Sequence, residues 1–422
     1  MAPCFSGHMA ERSIVGMNFV FVLDAFPSVS ETFILNQITG LIDLGHDVVI
    51  FSAARPEDRD FHDDIRKYDL LKKTYYHNDR DQNKFNRVFW GLLLILRYGY
   101  RNPKVVWNSL NFFKYGREAL SLNYLYKSML FLAIGKIDII LCHYGPNGNF
   151  VALMKELGIH GKLVTMFHGY DIRRGIEQGG QIYTPLFKQG DCYLSISDYN
   201  YKHLVAFGAP VEKVHTHPVG IDLGRFPFFT RSMPLKGAIK ILTISRLIKE
   251  KGLFYGLEAI HRLIDERSLT NIEYYILGDG PDRQELEAMA PKLQMKAKVF
   301  FLGSQTQDAV IRILGESHLF LLPSIAEALP VVLMEAQATG LPVVATDVGS
   351  VSQVMSDNKS GYLVPARDAQ ALCDKLEYLI RNPRVWAQMG HAGRKHVEER
   401  YDIKKLNQRL VSICQELLEQ RT

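Results

Sequence analysis

Short apolar runs bounded by glycine, proline and polar turns recur along the chain, and most lead into stretches whose apolar residues have helical spacing. NFVFVLD (18–24) reads as a strand, SETFILNQITGLIDLG (30–45) as a helix with Ser30 as its N-cap, and DVVIFS (47–52) as a second strand. The alternation resumes with strands over 137–145, 162–171, 191–197 and 211–220, with helices over 148–157 and 198–207 between them. A second series brings strands over 238–246, 271–280, 298–303, 319–323, 342–346 and 361–368, with helices after each. Apolar strands alternating with helices predict buried parallel sheets, so the expected class is α/β, doubly wound.

At 422 residues the chain suits two domains of roughly 200 residues each. The segment 222–236 has two prolines and no periodicity and is the candidate linker. The expected domains are 17–222, with a helical insertion over about 84–136, and 237–383, followed by terminal helices over 384–422. Five scattered cysteines without a CxxC pair give neither a zinc site nor a disulfide framework and suit a reducing compartment. The N-terminus shows no apolar signal core, and VFWGLLLIL (88–96) is about half of what a spanning helix requires. A cytoplasmic protein is expected. DRD triplets at 58–60 and 79–81 fall in polar segments of the first half, and no metal ligands are assigned.

Net charge is only +5, yet residues 84–136 hold nine basic residues against the single acid Glu118, among aromatics that include Trp90, Trp107 and Phe113. Two readings stay open for this window: a surface for anionic lipid headgroups at the inner face of a membrane, or a helical subdomain with a solvated basic face. No nucleic-acid-binding motif accompanies the charge, and no nucleic-acid partner is expected.

Candidate chemistry lies at strand ends. LLPSIAEALPVVLMEAQATGLPVVAT (321–346) reads as strand, loop, helix and strand, with Pro330 at the first helical position and Gly340 ending the helix. Glu335 is placed to accept hydrogen bonds from a ribose diol, Glu327 to meet a sugar hydroxyl, and amides near Ala328, Leu329 and Val331 to hold phosphate or sugar oxygens. Arg246 and Lys251, at a strand-to-helix turn, form a candidate diphosphate site. Gly278 and Gly280 allow a ligand close to the backbone, and the backbone of Leu302 and Gly303 is placed to meet a nucleobase edge. Taken singly, each feature also has an ordinary structural explanation as a cap, a turn or a solvated charge.

In combination, SRLxxxKG, LGDGP, FxG and PSxxEAxPxxxxEAxATGxPVVAT resemble the family-4 retaining glycosyltransferases of the GT-B type, over the whole second half. The resemblance implies two Rossmann-like domains facing across a cleft and a C-terminal helix, 404–420, crossing back to the first. It implies a metal-independent hexosyltransferase with no cofactor and a nucleotide-sugar donor, UDP-linked as first choice. It assigns Glu335 to the ribose, Glu327 to the transferred sugar, and Arg246 with Lys251 to the diphosphate. Ala328 stands where glycine is usual in the family.

In the first half, DAFPSVSETFILNQ (24–37) and MFHGYDIRR (166–174) resemble bacterial exopolysaccharide glycosyltransferases of the colanic-acid and amylovoran type. His168 then matches the family's active-site histidine. Ser30, Glu31, His143 and Asp171 are the candidates for the side that binds a glycan or lipid-linked acceptor. An epimerase or phosphorylase on the same scaffold, and a non-catalytic sugar- or lipid-binding module, are the competing readings.

Overall fold

A computed structural model describes residues 16–28, 31–56, 62–77 and 84–420. Ser30 and both DRD triplets lie outside the described residues. Seven strands form the first sheet: β1 (Asn18–Ala25), β2 (Asp47–Ala54), β3 (Thr74–Tyr76), β4 (Ile139–His143), β5 (Lys162–Phe167), β6 (Cys192–Ser195) and β7 (Val214–Thr216). Their spatial order is β3-β2-β1-β4-β5-β6-β7. β8 (Ile239–Ile244), β9 (Ile272–Leu277), β10 (Val299–Gly303), β11 (Leu319–Leu322), β12 (Val343–Thr346) and β13 (Gly361–Val364) form the second, in the order β10-β9-β8-β11-β12-β13.

The pairing of β1 with β2 and β4, and of β8 with β9 and β11, is parallel. Helices such as Leu253–Asp265 and Ala369–Arg381 cover the second sheet, burying Leu257, Ile260, Leu372 and Leu376 against Ile241 and Tyr274. Burial on both faces explains why these strands read as unbroken apolar runs. In each sheet the strand order reverses beside the first strand, between β1 and β4 and between β8 and β11. Ligands enter open α/β sheets at the carboxyl ends of the strands flanking such a reversal.

The chain divides into two compact units: Met1–His143 with Phe150–Val164 and Cys414–Thr422, and Tyr144–Asn149 with Thr165–Ile413. One of the four dividing points, between Val164 and Thr165, falls inside β5. The helix Ile403–Glu419 runs on from the second unit's last residues to those grouped with the first.

Several elements differ from the sequence reading. The strand expected over 162–171 stops at Phe167, because His168 caps a new helix, Gly169–Gln178. The strand expected over 211–220 is only Val214–Thr216, and β3 was not foreseen. The segment 222–236 is anchored rather than free. The Arg231 guanidinium is buried and donates to the carbonyls of Gly315, Ser317, Leu314 and Thr339 at 2.6–3.0 Å. Burial lowers its pKa to about 10, so it stays charged at neutral pH.

Candidate active site

In the second sheet, the loop after β8 carries Arg246 and Lys251 and the loop after β11 carries Glu327, so both flank the reversal of strand order. Lys251 Nζ donates to Glu327 Oε1 at 2.7 Å, and Ser324 Oγ donates to the same oxygen at 2.7 Å. Two donors on one oxygen orient the carboxylate and leave Oε2 for a ligand hydroxyl. The loop itself is braced. Ile325 and Ala326 amides donate to the Glu250 carbonyl at 2.7 and 3.2 Å, and the Thr346 hydroxyl donates to the Ser324 carbonyl. At Gly349 (φ +56°) an added Cβ would stand 1.7 Å from the Glu327 carbonyl oxygen, so only glycine permits this approach.

The Arg246 side chain is exposed and makes no ion pair or hydrogen bond among the described residues, while its carbonyl accepts the Ile248 amide at 3.0 Å. The hydroxyl of Ser245 beside it is buried without a partner. A free guanidinium beside an unsatisfied hydroxyl can receive an anionic oxygen.

Gly278 and Gly280 have a different physical role from the one expected. An added Cβ would lie 1.8 Å from the Ser245 carbonyl oxygen at Gly278 and 2.3 Å from that of Leu247 at Gly280. The backbone that comes close is therefore the chain's own loop after β8. Leu247 N–H donates to the Asp279 carbonyl and Asp282 N–H to the Leu247 carbonyl, which fixes the turn that presents Arg246. The Leu302 carbonyl accepts from Gln305 Nε2 and the Gly303 carbonyl from the Gly278 N–H.

The helix after Glu327 is Val331–Ala338, with Pro330 at its N-cap rather than its first position, and Gly340 (φ +84°) follows its end. Leu329 is buried; Ala328 and Val331 are half-buried at this helix start. Glu335 lies in the second turn, half-buried, and no donor meets its carboxyl group among the described residues. Burial pushes its pKa up to about 7. Such a group gains from any ligand that brings hydrogen-bond donors.

His168, after β5, is buried, and its pKa is pushed down to about 3 by burial. Its imidazole is neutral at physiological pH. It forms a capping box with Asp171, whose Oδ2 accepts the His168 amide at 2.6 Å. Asp171 Oδ1 accepts the Gly145 amide at 3.0 Å. Asp171, expected on the acceptor side, is thus fully buried with both oxygens taken by helix-start amides, and it ties Gly145–Leu157 to Gly169–Gln178.

Gly169, also in the second unit, is packed so that an added Cβ would lie 2.3 Å from the Ala328 Cβ. This sets His168 next to the loop that carries Glu327. In the first unit His143 ends β4, buried, with Nε2 2.9 Å from Gln37 Oε1 and its ring stacked on Phe21. Glu31 is the N-cap of Thr32–Asp43 and lines a small cavity with Phe26, Ser28 and Ile34.

Comparison with known proteins identifies the architecture. Residues 229–396 match the model for glycosyl transferases group 1, and residues 30–225 that for glycosyltransferase family 4. The putative colanic acid biosynthesis glycosyltransferase WcaL of Salmonella typhimurium is 33% identical over 94% of this chain and 100% of its own length. Amylovoran biosynthesis glycosyltransferase AmsK of Erwinia amylovora is 32% identical over 95% and 100%.

The chain belongs to the family 4 glycosyltransferases.

Its fold is the GT-B fold. The structure of Anabaena HepE in complex with UDP superposes with a TM-score of 0.74 at 14% identity, covering 95% of this chain and 100% of that one.

Within this glycosyltransferase, sequence reasoning passed over several residues. Tyr144 has φ +73° and packs its ring 4.7 Å from that of His168. Backbone held in this region by a non-glycine residue is a feature of functional sites. Its signal was the HYGPNG turn after a strand. Ser324, Thr346 and Gly349 brace Glu327 and follow apolar strands, a position where a small polar residue attracts no notice. Among the described residues no group of three or more His, Cys, Asp or Glu is placed to hold a metal ion.

Proposed function

We propose that this glycosyltransferase moves a sugar from a UDP-linked donor to a glycan or lipid-linked acceptor, with retention of configuration and without a metal ion, in exopolysaccharide biosynthesis at the inner face of a membrane. The observation that carries the donor assignment is the Glu335 carboxyl group, half-buried with no donor of its own, in the helix that follows the Lys251–Glu327 pair. A ribose diol supplies the missing donors. Arg246 and Lys251, with amides at the start of Val331–Ala338, face the diphosphate and stabilise its departing charge, the part a metal ion would otherwise play. Glu327 Oε2 accepts from a hydroxyl of the transferred sugar.

His168 is neutral, so its role is to hydrogen-bond the donor sugar rather than to supply a proton. A diphosphate leaving group needs no general acid. As the bond from the anomeric carbon to the diphosphate breaks, the acceptor oxygen bonds to that carbon on the same face, and its proton passes to the departing phosphate oxygen. Asp171 is fully buried and holds backbone amides at both oxygens, so its role is to fix the His168 turn rather than to act as a covalent nucleophile.

Incubation with a panel of UDP-sugars and polyprenyl-linked oligosaccharides in EDTA, with NMR of the new anomeric centre, tests this. Retained configuration at an unchanged rate in EDTA is expected. An inverted product, loss of activity in EDTA, or epimerised nucleotide sugar without acceptor would overturn it.

A further inference from the structure

The helix Lys84–Tyr98 is largely apolar, and among the described residues protein packs against one side of it. Gly91 faces Leu122, Leu125 and Tyr126, on and beside the helix Asn123–Ile134. Leu94, Ile95 and Tyr98 share that face and are half-buried. At roughly 100° per residue, Val88, Phe89, Leu92, Leu93 and Leu96 occupy a contiguous arc of about 140° on the opposite side. All five are exposed, Leu96 to 77%. The short helices Pro103–Ser109 and Phe112–Tyr115 add Trp107, 80% exposed, and Phe113, 89% exposed. A helix with apolar residues on every side is ordinarily covered, so this stripe needs an occupant.

Charge selects which one. Arg97 and Lys104 are exposed in these helices, Arg101 and Arg117 in the turns of helix beside them, Gly99–Arg101 and Arg117–Leu120, and no carboxylate pairs with any of the four among the described residues. Lys114 and Lys136 reach Glu156 and Asp138, and Glu118 is the only acid between residues 84 and 136. Exposed Phe, Trp and Leu together with cations that no carboxylate neutralises complement a bilayer surface, where rings and aliphatic chains enter the acyl boundary and cations meet anionic headgroups. Among the described residues no helix is long and apolar enough to cross a membrane, so the contact lies in the plane of the surface.

We infer that the outer face of Lys84–Tyr98, with Trp107 and Phe113, is a docking surface for an anionic lipid bilayer. This deepens the membrane placement proposed above but is independent of the donor chemistry, since vesicle binding is read without nucleotide sugar or turnover.

The test is flotation of the full chain with vesicles of phosphatidylcholine and phosphatidylglycerol, beside vesicles of phosphatidylcholine alone. Flotation with the anionic vesicles is expected, falling in high salt. Each charge removed from Lys104 or Arg117 should weaken binding roughly fivefold, and Leu92→Glu with Leu96→Glu should abolish it. Intrinsic fluorescence gives a reading without substitution: Trp386 is already buried, so a blue shift on adding vesicles reports Trp90 and Trp107. Because the replaced side chains are exposed, an unchanged melting temperature is expected and distinguishes lost binding from lost fold. The inference fails if the chain does not float with anionic vesicles, or if the paired leucine substitutions leave flotation intact. It also fails if the stripe instead holds two copies of the chain together in the absence of lipid, a dimer that Leu96→Glu dissociates.

Discussion

Glu335 carries an energetic conflict whose sign can be worked out. Its folded pKa of about 7 stands above the ordinary 4.5, so the folded protein holds a proton that the unfolded chain has released. The protein is therefore most stable, as far as this group decides, below pH 4.5, and loses that contribution as pH rises through 7. Glu335→Gln removes the charged state and should raise stability at pH 8 by up to about 3 kcal/mol, with little change at pH 5. Melting temperatures at the two pH values check this, and a pH-independent difference would contradict it.

The placement of Glu327 in a loop and of Glu335 in the helix after it was legible in the sequence, because their spacing is set by one loop and one helix. The role of Gly278 and Gly280 was not. Their space is filled by the backbone of residues 245–247, a contact between two loops that only the paired strands β8 and β9 bring together. The same holds for Asp171, whose residue type suggested a ligand and whose partners are amides at two helix starts.

At the scale of elements, buried strands and long helices followed from pattern alone, since burial on both faces leaves an apolar run. Errors gathered where a cap overruled it. KLVTMF continues into HGYD without a proline or glycine pair to stop the strand, but the His168–Asp171 capping box starts a helix there. β3, three half-buried residues long, offered too little contrast to read.

The segment 222–236 looked like a linker because it lacks periodicity. Arg231 is its main polar anchor, beside the bond from Arg394 to the Phe226 carbonyl and that from the Phe229 amide to Thr339. Arg231→Met keeps the packing volume but leaves buried carbonyls of Leu314, Ser317 and Thr339 without this donor. It should lower stability by at least about 3 kcal/mol, measured by chemical denaturation. A loss below about 1 kcal/mol would mean that the segment is held by its other contacts, such as buried Phe226.

For the whole molecule, two sheets share the same reversal of strand order, and the carboxyl edge of the second carries Arg246, Lys251 and Glu327, with Glu335 in the helix that follows. This edge is proposed above as a nucleotide-sugar site that works without a metal ion. Calorimetric titration of UDP in EDTA into the wild type, Arg246→Ala and Glu335→Gln tests it most directly. Binding by the wild type is predicted, weakened by about tenfold or more in each variant, as loss of a hydrogen bond to a charged group implies. No binding by the wild type in EDTA, or equal affinity in all three proteins, would contradict it.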